Sequence, residues 1–406
     1  MSADDDPGQP STTRDGGGSQ QNPPTPLGPR SGSRTAESGS GESSAVRPLD
    51  DLLHELRHAA GPSPIRTVES PAPMNPLPDS VAIPSSQSLL PILETLIFSP
   101  DSVVVFDTDI GYDLDDIIAL WCAARLVGDH RLVVVTSDET RDRRARLARY
   151  FLDLIGRPDA LVIAGRDLGG HHRFLLDDRY LSMDRPVSTD VIEVITHLCH
   201  TATAPLVWVG LGPLSNLSDA LAARPYLTEM IDVTWMGGWL DRYRRPDRAS
   251  HNFRMDPLAT GHVLRAAHRP RCVLSTHTDH PALELTPASP LLAWSSTPGR
   301  PEWAQLIAAH ADAWFAYCRT RGAKPRSCQA DPLTLAAALG APVVEFGTET
   351  VTIADDARLY RRGRGLNLTV STHVDYPRFG QWLANALPET GLHPAIPITT
   401  PSPPTQ

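Results

Sequence analysis

Short apolar runs alternate with stretches of helical apolar spacing through the middle of the chain. The first run, residues 103–106, is β-branched and aromatic without polar alternation, which is typical of a buried parallel strand. Similar runs occupy residues 132–136, 160–164, 206–209, 233–236 and 272–275. This alternation predicts an α/β fold with an open, mostly parallel sheet flanked by helices. Three later runs, at residues 343–346, 349–353 and 366–371, are expected to form a hairpin appended to that sheet.

The two ends of the chain lack the apolar residues that a core requires. Residues 1–88 are rich in Gly, Ser, Pro, Thr and Asp and predict a disordered, low-complexity tail. Within this tail, residues 48–59 have a short amphipathic pattern, which fits either a docked helix or a transient one. Residues 391–406 are rich in Pro and Thr and predict a flexible tail. The folded domain is therefore expected over residues 89–390.

Bulk composition narrows the class of partners. The formal net charge of −10 argues against nucleic acid. The five cysteines include no C-x-x-C pair, so neither a disulfide framework nor a zinc site is expected. The N-terminus lacks the apolar core of a signal peptide, and no run of about 18 apolar residues predicts a membrane span. These features favour a cytoplasmic protein with no membrane partner.

The strongest chemical signal is a group of five aspartates, at positions 107, 109, 113, 115 and 116, directly after the first apolar run. Two carboxylates ~4 Å apart repel by roughly 4 kcal/mol at an effective dielectric of about 20. A fold that gathers them needs a cation, and oxygen ligands favour Ca²⁺ or Mg²⁺. Asp115 is expected to cap a helix that begins after it. The cluster then lies between a strand and a helix, where open α/β sheets place their ligand sites.

Residues 107–116 resemble the N-terminal signature of the inosine–uridine-preferring nucleoside hydrolases, with the longer spacing before the Asp-Asp pair that some members have. Later segments similar to further motifs of that family are residues 209–217, 235–238, 251–257 and 330–333. The resemblance implies a nucleoside hydrolase-like fold, Ca²⁺ as the cofactor and hydrolysis of the N-glycosidic bond of a small-molecule nucleoside. Members of the family are commonly homo-oligomers, so this chain is expected to be one as well.

The resemblance also implies metal ligands. Asp109, Asp116, Asp331 and the backbone carbonyl of Leu211 would hold the Ca²⁺ ion. Asp109 would in addition act as the catalytic base that takes a proton from the attacking water. Cleavage is then expected to pass through an oxocarbenium-like state, as in glycoside hydrolysis generally.

Four further residues are expected to bind substrate. Asp115 and Asn252 inherit the family's contacts to the sugar. Asp138 follows the second apolar run, where many members carry an asparagine that binds the ribose. Trp314 lies on a predicted helix before Asp331, where the family often lines its base pocket.

Three positions depart from the family pattern at points that matter for chemistry, namely Asp138, Ala330 and Ser250. Ala330 replaces the histidine that gives a proton to the departing base in many members. Candidate substitutes for that acid are His171, His172 and His251. Ser250 replaces a carboxylate near the 5′ end of the sugar. Together with Asp138, this change points to a modified sugar or to a different substituent at that end.

Two other functions are compatible with parts of this pattern. Because the acid is missing, the domain could bind a nucleoside or sugar without cleaving it. An Asp-x-Asp pair after a strand is also found in haloacid-dehalogenase-type phosphatases. That alternative is weakened because Gly111 lies where those enzymes carry Thr or Val. They also need a basic residue before a later acidic pair, and the chain's only lysine, Lys324, is distant from Asp355 and Asp356.

Overall fold

The structure, a computed structural model, describes residues 102–390 apart from residues 183, 184, 186, 241, 242 and 362. The predicted tails, the 48–59 pattern and the expected domain start at residue 89 lie outside the described residues. Among the helices in the described part of the chain, none combines the length and the apolar character that a membrane span needs.

Eleven strands are found among the described residues. They are β1 Val104–Thr108, β2 Leu132–Thr136, β3 Leu161–Ala164, β4 Leu206–Gly210, β5 Ile231–Met236, β6 Arg271–Val273, β7 Glu284–Leu285, β8 Ser327–Cys328, β9 Val344–Ile353, β10 Leu359–Arg361 and β11 Leu366–Val374. Nine of them form one sheet in the order β10-β9-β11-β6-β5-β4-β1-β2-β3. Strands β1 to β6 run parallel, and β11 joins them parallel to β6. Only β9 and its partners β10 and β11 pair in the antiparallel sense within this sheet.

Helices connect these strands and cover both faces of the sheet. They are α1 Asp115–Leu126, α2 Arg143–Leu154, α3 Val191–Thr201, α4 Ser215–Ala223, α5 His251–Met255, α6 Pro257–Ala266, α7 Ser275–Thr278, α8 Pro290–Ser295, α9 Glu302–Thr320, α10 Ala330–Ala338 and α11 Tyr376–Ala386. The predicted α/β fold with a mostly parallel, helix-flanked sheet is therefore confirmed.

The side chains of β1 alternate between two apolar cores. Val104 and Phe106 pack on the face covered by α1, α2 and α9 to α11. Val105 faces the opposite core, which α3, α4 and α6 cover. Successive side chains of a strand point to opposite faces, so a strand buried on both sides must be apolar throughout. This is why residues 103–106 lack the polar alternation of a half-exposed strand.

Some boundaries differ from the sequence-based expectations. The apolar residues at 343–346 and 349–353 lie in or beside a single ten-residue strand, β9, that pairs with both β10 and β11. Asp115 is the first residue of α1 and not its cap, because Leu114 holds the cap position. The Asp115 carboxylate instead accepts a hydrogen bond from the backbone N–H of Asp331, at 3.3 Å. This contact joins the start of α1 to the start of α10 at the carboxyl edge of the sheet.

Candidate active site

A cavity opens at the carboxyl edge of the parallel strands, where the segments after β1, β4 and β5 meet the start of α10. Its lining includes seven of the eight predicted site residues, namely Asp109, Asp115, Asp116, Leu211, Asn252, Trp314 and Asp331. Residues separated by more than 200 positions in the chain thus converge on one cavity, as the contact between Asp331 and Asp115 demonstrates. This location agrees with the general rule for ligand sites in open α/β sheets.

Three carboxylates form the acidic centre of the cavity. Asp115, Asp116 and Asp331 each offer an oxygen, and these three oxygens lie within 4.8 Å of one another. All three side chains are buried. Asp116 accepts a hydrogen bond of 2.5 Å from the Thr108 hydroxyl, whereas Oδ1 of Asp331 has no hydrogen-bond partner among the described residues.

These carboxylates are costly to ionise in this arrangement. Burial, and then repulsion from neighbouring aspartates, raises the pKa of Asp115, Asp116 and Asp331 well above the usual range. A divalent cation between them would reverse both effects, because its charge favours the ionised carboxylates and their oxygens would replace its water ligands. The unpartnered oxygen of Asp331 and the all-oxygen donor set therefore fit a hard divalent cation.

Asp109 differs electrostatically from this triad. Its burial opposes ionisation, but the neighbouring His251 ring and the positive charge of Arg144 bring its pKa below the usual value. The His251 ring contributes Nε2 at 3.8 Å from Asp109 Oδ2. Asp109 is therefore ionised and chemically able to accept a proton at neutral pH.

The first aspartate of the cluster takes no part in the cavity. Asp107 is completely buried within the sheet, and its Oδ1 accepts a hydrogen bond of 3.2 Å from Asn216. Burial raises the pKa of Asp107 to about 8, which makes it neutral at pH 7. The five aspartates thus divide into one buried structural residue and four that line the cavity.

Leu211, in the segment after β4, lies next to Asn252, near the start of α5. The Asn252 side-chain amide donates to the Leu211 carbonyl at 2.5 Å and to the Met236 carbonyl at 3.2 Å. Leu211 is held by its own N–H, which donates to the carbonyl of Asp107 at 2.8 Å. The predicted carbonyl ligand and the predicted sugar ligand therefore occupy one corner of the cavity.

Aromatic side chains form a wall of the same cavity. The Tyr112 ring meets the Trp314 ring edge-on, with 5.2 Å between the ring centroids. The Tyr112 hydroxyl lies 3.1 Å from the Tyr317 hydroxyl. Trp314 is fixed by a hydrogen bond of 2.9 Å from its indole N–H to the Arg326 carbonyl. Tyr112 also stacks on His251, with 5.8 Å between centroids. Tyr112 was not predicted as a site residue, although its place inside the aspartate cluster was a usable signal.

Asp138 is the predicted site residue that does not line the cavity. It is fully buried and forms ion pairs with Arg173 at 2.8 Å and with Arg144 at 3.5 Å. Its backbone has a φ of 46°, a left-handed conformation that aspartate tolerates better than most residues. In this structure Asp138 therefore serves as an internal counter-ion, and a contact between its carboxylate and a sugar stays a prediction.

The positions that depart from the family pattern also have defined surroundings. Ala330 lines the cavity beside Asp331 and offers only a methyl group. The Ser250 hydroxyl accepts a hydrogen bond of 2.7 Å from the Gly238 N–H. Of the three histidines considered as substitute acids, His251 lines the cavity, whereas His171 and His172 are exposed and do not. Asp355 and Asp356, which a phosphatase would need near its site, lie on the turn before β10 and do not line the cavity.

Comparison with known proteins identifies the family. The profile of the family described as "Inosine-uridine preferring nucleoside hydrolase" matches residues 104–381, and the chain belongs to this family, as predicted. The pyrimidine-specific ribonucleoside hydrolase RihA of Photobacterium profundum is 24% identical over 176 residues, which cover 40% of this chain and 57% of that protein. The chain thus matches little more than half the length of its curated relatives.

Solved structures show the same fold. A plant nucleoside hydrolase, the PpNRh1 enzyme, has a TM-score of 0.59 and 19% identity, with 71% of this chain and 99% of that chain covered. The type III effector protein XopQ, solved in complex with adenosine diphosphate ribose, has a TM-score of 0.59 and 18% identity, with 77% and 100% covered. These likenesses confirm the predicted nucleoside hydrolase-like architecture.

Proposed function

We propose that this chain is a Ca²⁺-dependent hydrolase that splits the N-glycosidic bond of a nucleoside, or of a modified nucleoside, into the base and a ribose-type sugar. The observation that carries the proposal is that one cavity is lined by Asp109, Asp115, Asp116 and Asp331 and also by the aromatic rings of Tyr112 and Trp314. Membership of the nucleoside hydrolase family supports the class of reaction.

The family resemblance assigns the metal to Asp109, Asp116, Asp331 and the Leu211 carbonyl, and all four residues line the cavity. The carboxylates whose oxygens already lie together are those of Asp115, Asp116 and Asp331, so Asp115 would also lie against the ion. The donor atoms are all oxygens, which suits Ca²⁺ and excludes soft metals that prefer sulfur or nitrogen. When bound, the ion would supply the positive charge that makes a water molecule acidic enough to attack at neutral pH. The Leu211 carbonyl oxygen already accepts a hydrogen bond from the Asn252 amide, so its second lone pair would be the one available to the ion.

The residues of this chain then have distinct tasks. Asp109, ionised at neutral pH, takes the proton of the attacking water. Asp115 and Asn252 bind and orient the sugar hydroxyls, and the negative carboxylates around the ring favour an oxocarbenium-like state. Tyr112 and Trp314 provide aromatic surface for the base.

The departing base must gain the electron pair of the broken C–N bond and, in the end, a proton. Ala330 cannot supply that proton. The proposal therefore favours substrates whose base leaves readily, or protonation by solvent or by His251 at the cavity wall.

Self-association and a cytoplasmic location stay predictions. Sedimentation of the purified chain tests self-association.

Turnover of a nucleoside panel tests the proposal. With Ca²⁺ present, at least one nucleoside should release free base and reducing sugar, and chelation of the metal should abolish release. Asp109→Asn should lower kcat at least about a hundredfold, the lower range for loss of a general base. Asp312→Asn, at an exposed aspartate on α9, is the matched control and should behave as wild type.

The second candidate function is binding without hydrolysis, which Ala330 favours because it removes the family's usual acid. Saturable, Ca²⁺-dependent binding with no base released from any nucleoside would establish that function and contradict hydrolysis. If the protein neither binds nor cleaves any nucleoside in Ca²⁺, both candidate functions are contradicted.

A further inference from the structure

Cationic side chains line the same cavity as the aspartates, and the proposed reaction does not use them. Arg244 comes from the loop between β5 and α5, and Lys324 and Arg326 come from the segment between α9 and β8. Arg244 Nη1 and Arg326 Nη2 lie 3.3 Å and 3.0 Å from the same oxygen, Oδ1 of Asp279. We call these three cations the basic rim.

The basic rim is not neutralised by its neighbours. Glu284 is the second carboxylate that contacts it, paired with Arg326 and with Lys324 at 3.1 Å. Three cations against two carboxylates leave one positive charge in excess. Among the described residues, Arg244 uses one nitrogen, Nη1, in an ion pair, so further guanidinium donors remain for a ligand. The Lys324 side chain is 67% exposed and its ammonium group can turn towards the cavity.

The cavity is therefore polarised. Five aspartates, at positions 109, 113, 115, 116 and 331, form its acidic part, and the three cations of the basic rim pair with Asp279 and Glu284. Ser250, which also lines the cavity, presents a neutral hydroxyl that is already bound to the Gly238 N–H. A ligand with an anionic group at one end and a sugar at the other would be oriented by this polarity, with the anion on the rim and the sugar at the carboxylates.

We propose that the site takes a phosphorylated ribosyl compound, in which Arg244, Lys324 and Arg326 bind the phosphate while the ribose lies at the aspartates. The proposal rests on the hydrolase function proposed above and names its substrate class. Guanidinium groups bind phosphate oxygens through paired N–H donors, and a lysine adds a compact positive charge. The ligand is a ribose 5-phosphate ester, either a monophosphate or a diphosphate such as adenosine diphosphate ribose.

Calorimetric titration of the full chain in Ca²⁺ measures the preference directly. Ribose 5-phosphate should bind at least about tenfold more tightly than ribose. Arg244→Gln should reduce that ratio about tenfold, because one charge-assisted hydrogen bond is lost. Arg224→Gln is the matched control, since Arg224 is an arginine outside this cavity that also pairs with one carboxylate, Glu193, at 3.2 Å. Titration with adenosine diphosphate ribose distinguishes the diphosphate from the monophosphate.

A second measurement needs no variant. Lys324 is the only lysine in the chain. Mass spectrometry after treatment with an amine-reactive acylating reagent therefore reports on this one side chain. Ribose 5-phosphate should slow the acylation of Lys324 severalfold, whereas ribose should not. Equal acylation with and without ribose 5-phosphate would contradict a phosphate on the rim.

The outcomes separate the two proposals. If free nucleosides are hydrolysed but ribose 5-phosphate binds no more tightly than ribose, the phosphate inference is wrong and the hydrolase stands. If no compound releases its base but ribose 5-phosphate binds in an Arg244-dependent way, hydrolysis is wrong and the phosphate site stands. Equal loss of affinity for ribose and ribose 5-phosphate in Arg244→Gln would overturn the phosphate site.

Discussion

Arg144 is a completely buried cation that holds the loop carrying the acidic cluster. Its Nη1 donates to the carbonyl of Ile110 at 2.7 Å and also to that of Asp109. Its Nε donates to the carbonyl of Asp138 at 2.8 Å, and the Asp138 carboxylate balances its charge. A single side chain thus joins the loop after β1 to the loop after β2, and its charge helps keep Asp109 ionised.

Replacement of Arg144 should therefore weaken both the fold and the site. Arg144→Met removes the donors to four buried backbone carbonyls and one partner of the buried Asp138 carboxylate, so we expect a loss of about 3–5 kcal/mol of unfolding free energy. Urea denaturation measures this loss. The exposed Arg378, replaced by Met, is the control and should change stability by less than about 0.5 kcal/mol. A loss below about 1 kcal/mol in Arg144→Met would show that the loop does not depend on this residue.

At the scale of one element, α9 supports the cavity from behind. His310 is completely buried on this helix, and its Nε2–H donates to the Tyr112 carbonyl at 3.3 Å. One turn later, Trp314 faces the cavity from the same side of the helix. Burial lowers the pKa of His310 to about 4, with Arg144 adding to this effect and the bond to Tyr112 opposing it. The docking of α9 therefore requires a neutral histidine.

This gives a pH dependence of stability with a defined sign. The unfolded chain binds a proton at His310 near pH 6.5, whereas the folded chain binds it only near pH 4. The contribution of His310 to the unfolding free energy is thus fully present above about pH 6.5 and is lost as the pH falls towards 4. Between pH 7 and pH 4 the wild type should lose about 3 kcal/mol more unfolding free energy than His310→Gln. His171→Gln, at an exposed histidine, should follow the wild-type curve, and parallel curves for wild type and His310→Gln would refute this account.

Helices and strands could be predicted where residues close together in the sequence determine them, and not where contacts between distant residues do. The parallel strands were predicted because each is a continuous apolar run, and β2 has the predicted bounds, Leu132–Thr136. The end of β6 was misjudged, because Ser275 already begins α7 and the apolar pattern has no signal for that turn. The expectation that Asp115 caps α1 was also wrong, because Leu114 holds that position and the Asp115 carboxylate accepts the Asp331 N–H, 216 positions away. The spacing of residues along the chain does not reveal a contact between such distant positions.

At the scale of the whole molecule, the sheet order explains why the candidate site could be predicted in part. β1 lies between β4 and β2, so residues that follow β1 and β4 meet at the sheet edge. Seven of the eight site residues named from motifs line one cavity there. Asp138 follows β2 as expected, but Arg144 and Arg173 bind it. The basic rim was not predicted, because Arg244 lies about 80 residues before Lys324 and Arg326 in the chain and the three form no sequence motif.

The central claim is that Asp109, Asp116 and Asp331, which are distant in the chain, bind one divalent cation together with the Leu211 carbonyl. A crystal structure of the protein grown in Ca²⁺ tests this most directly. The account predicts electron density for a single ion in contact with these three carboxylates, and its loss in crystals of Asp331→Asn. Carboxylates that turn away from one another, with no ion between them at saturating Ca²⁺, would contradict the account.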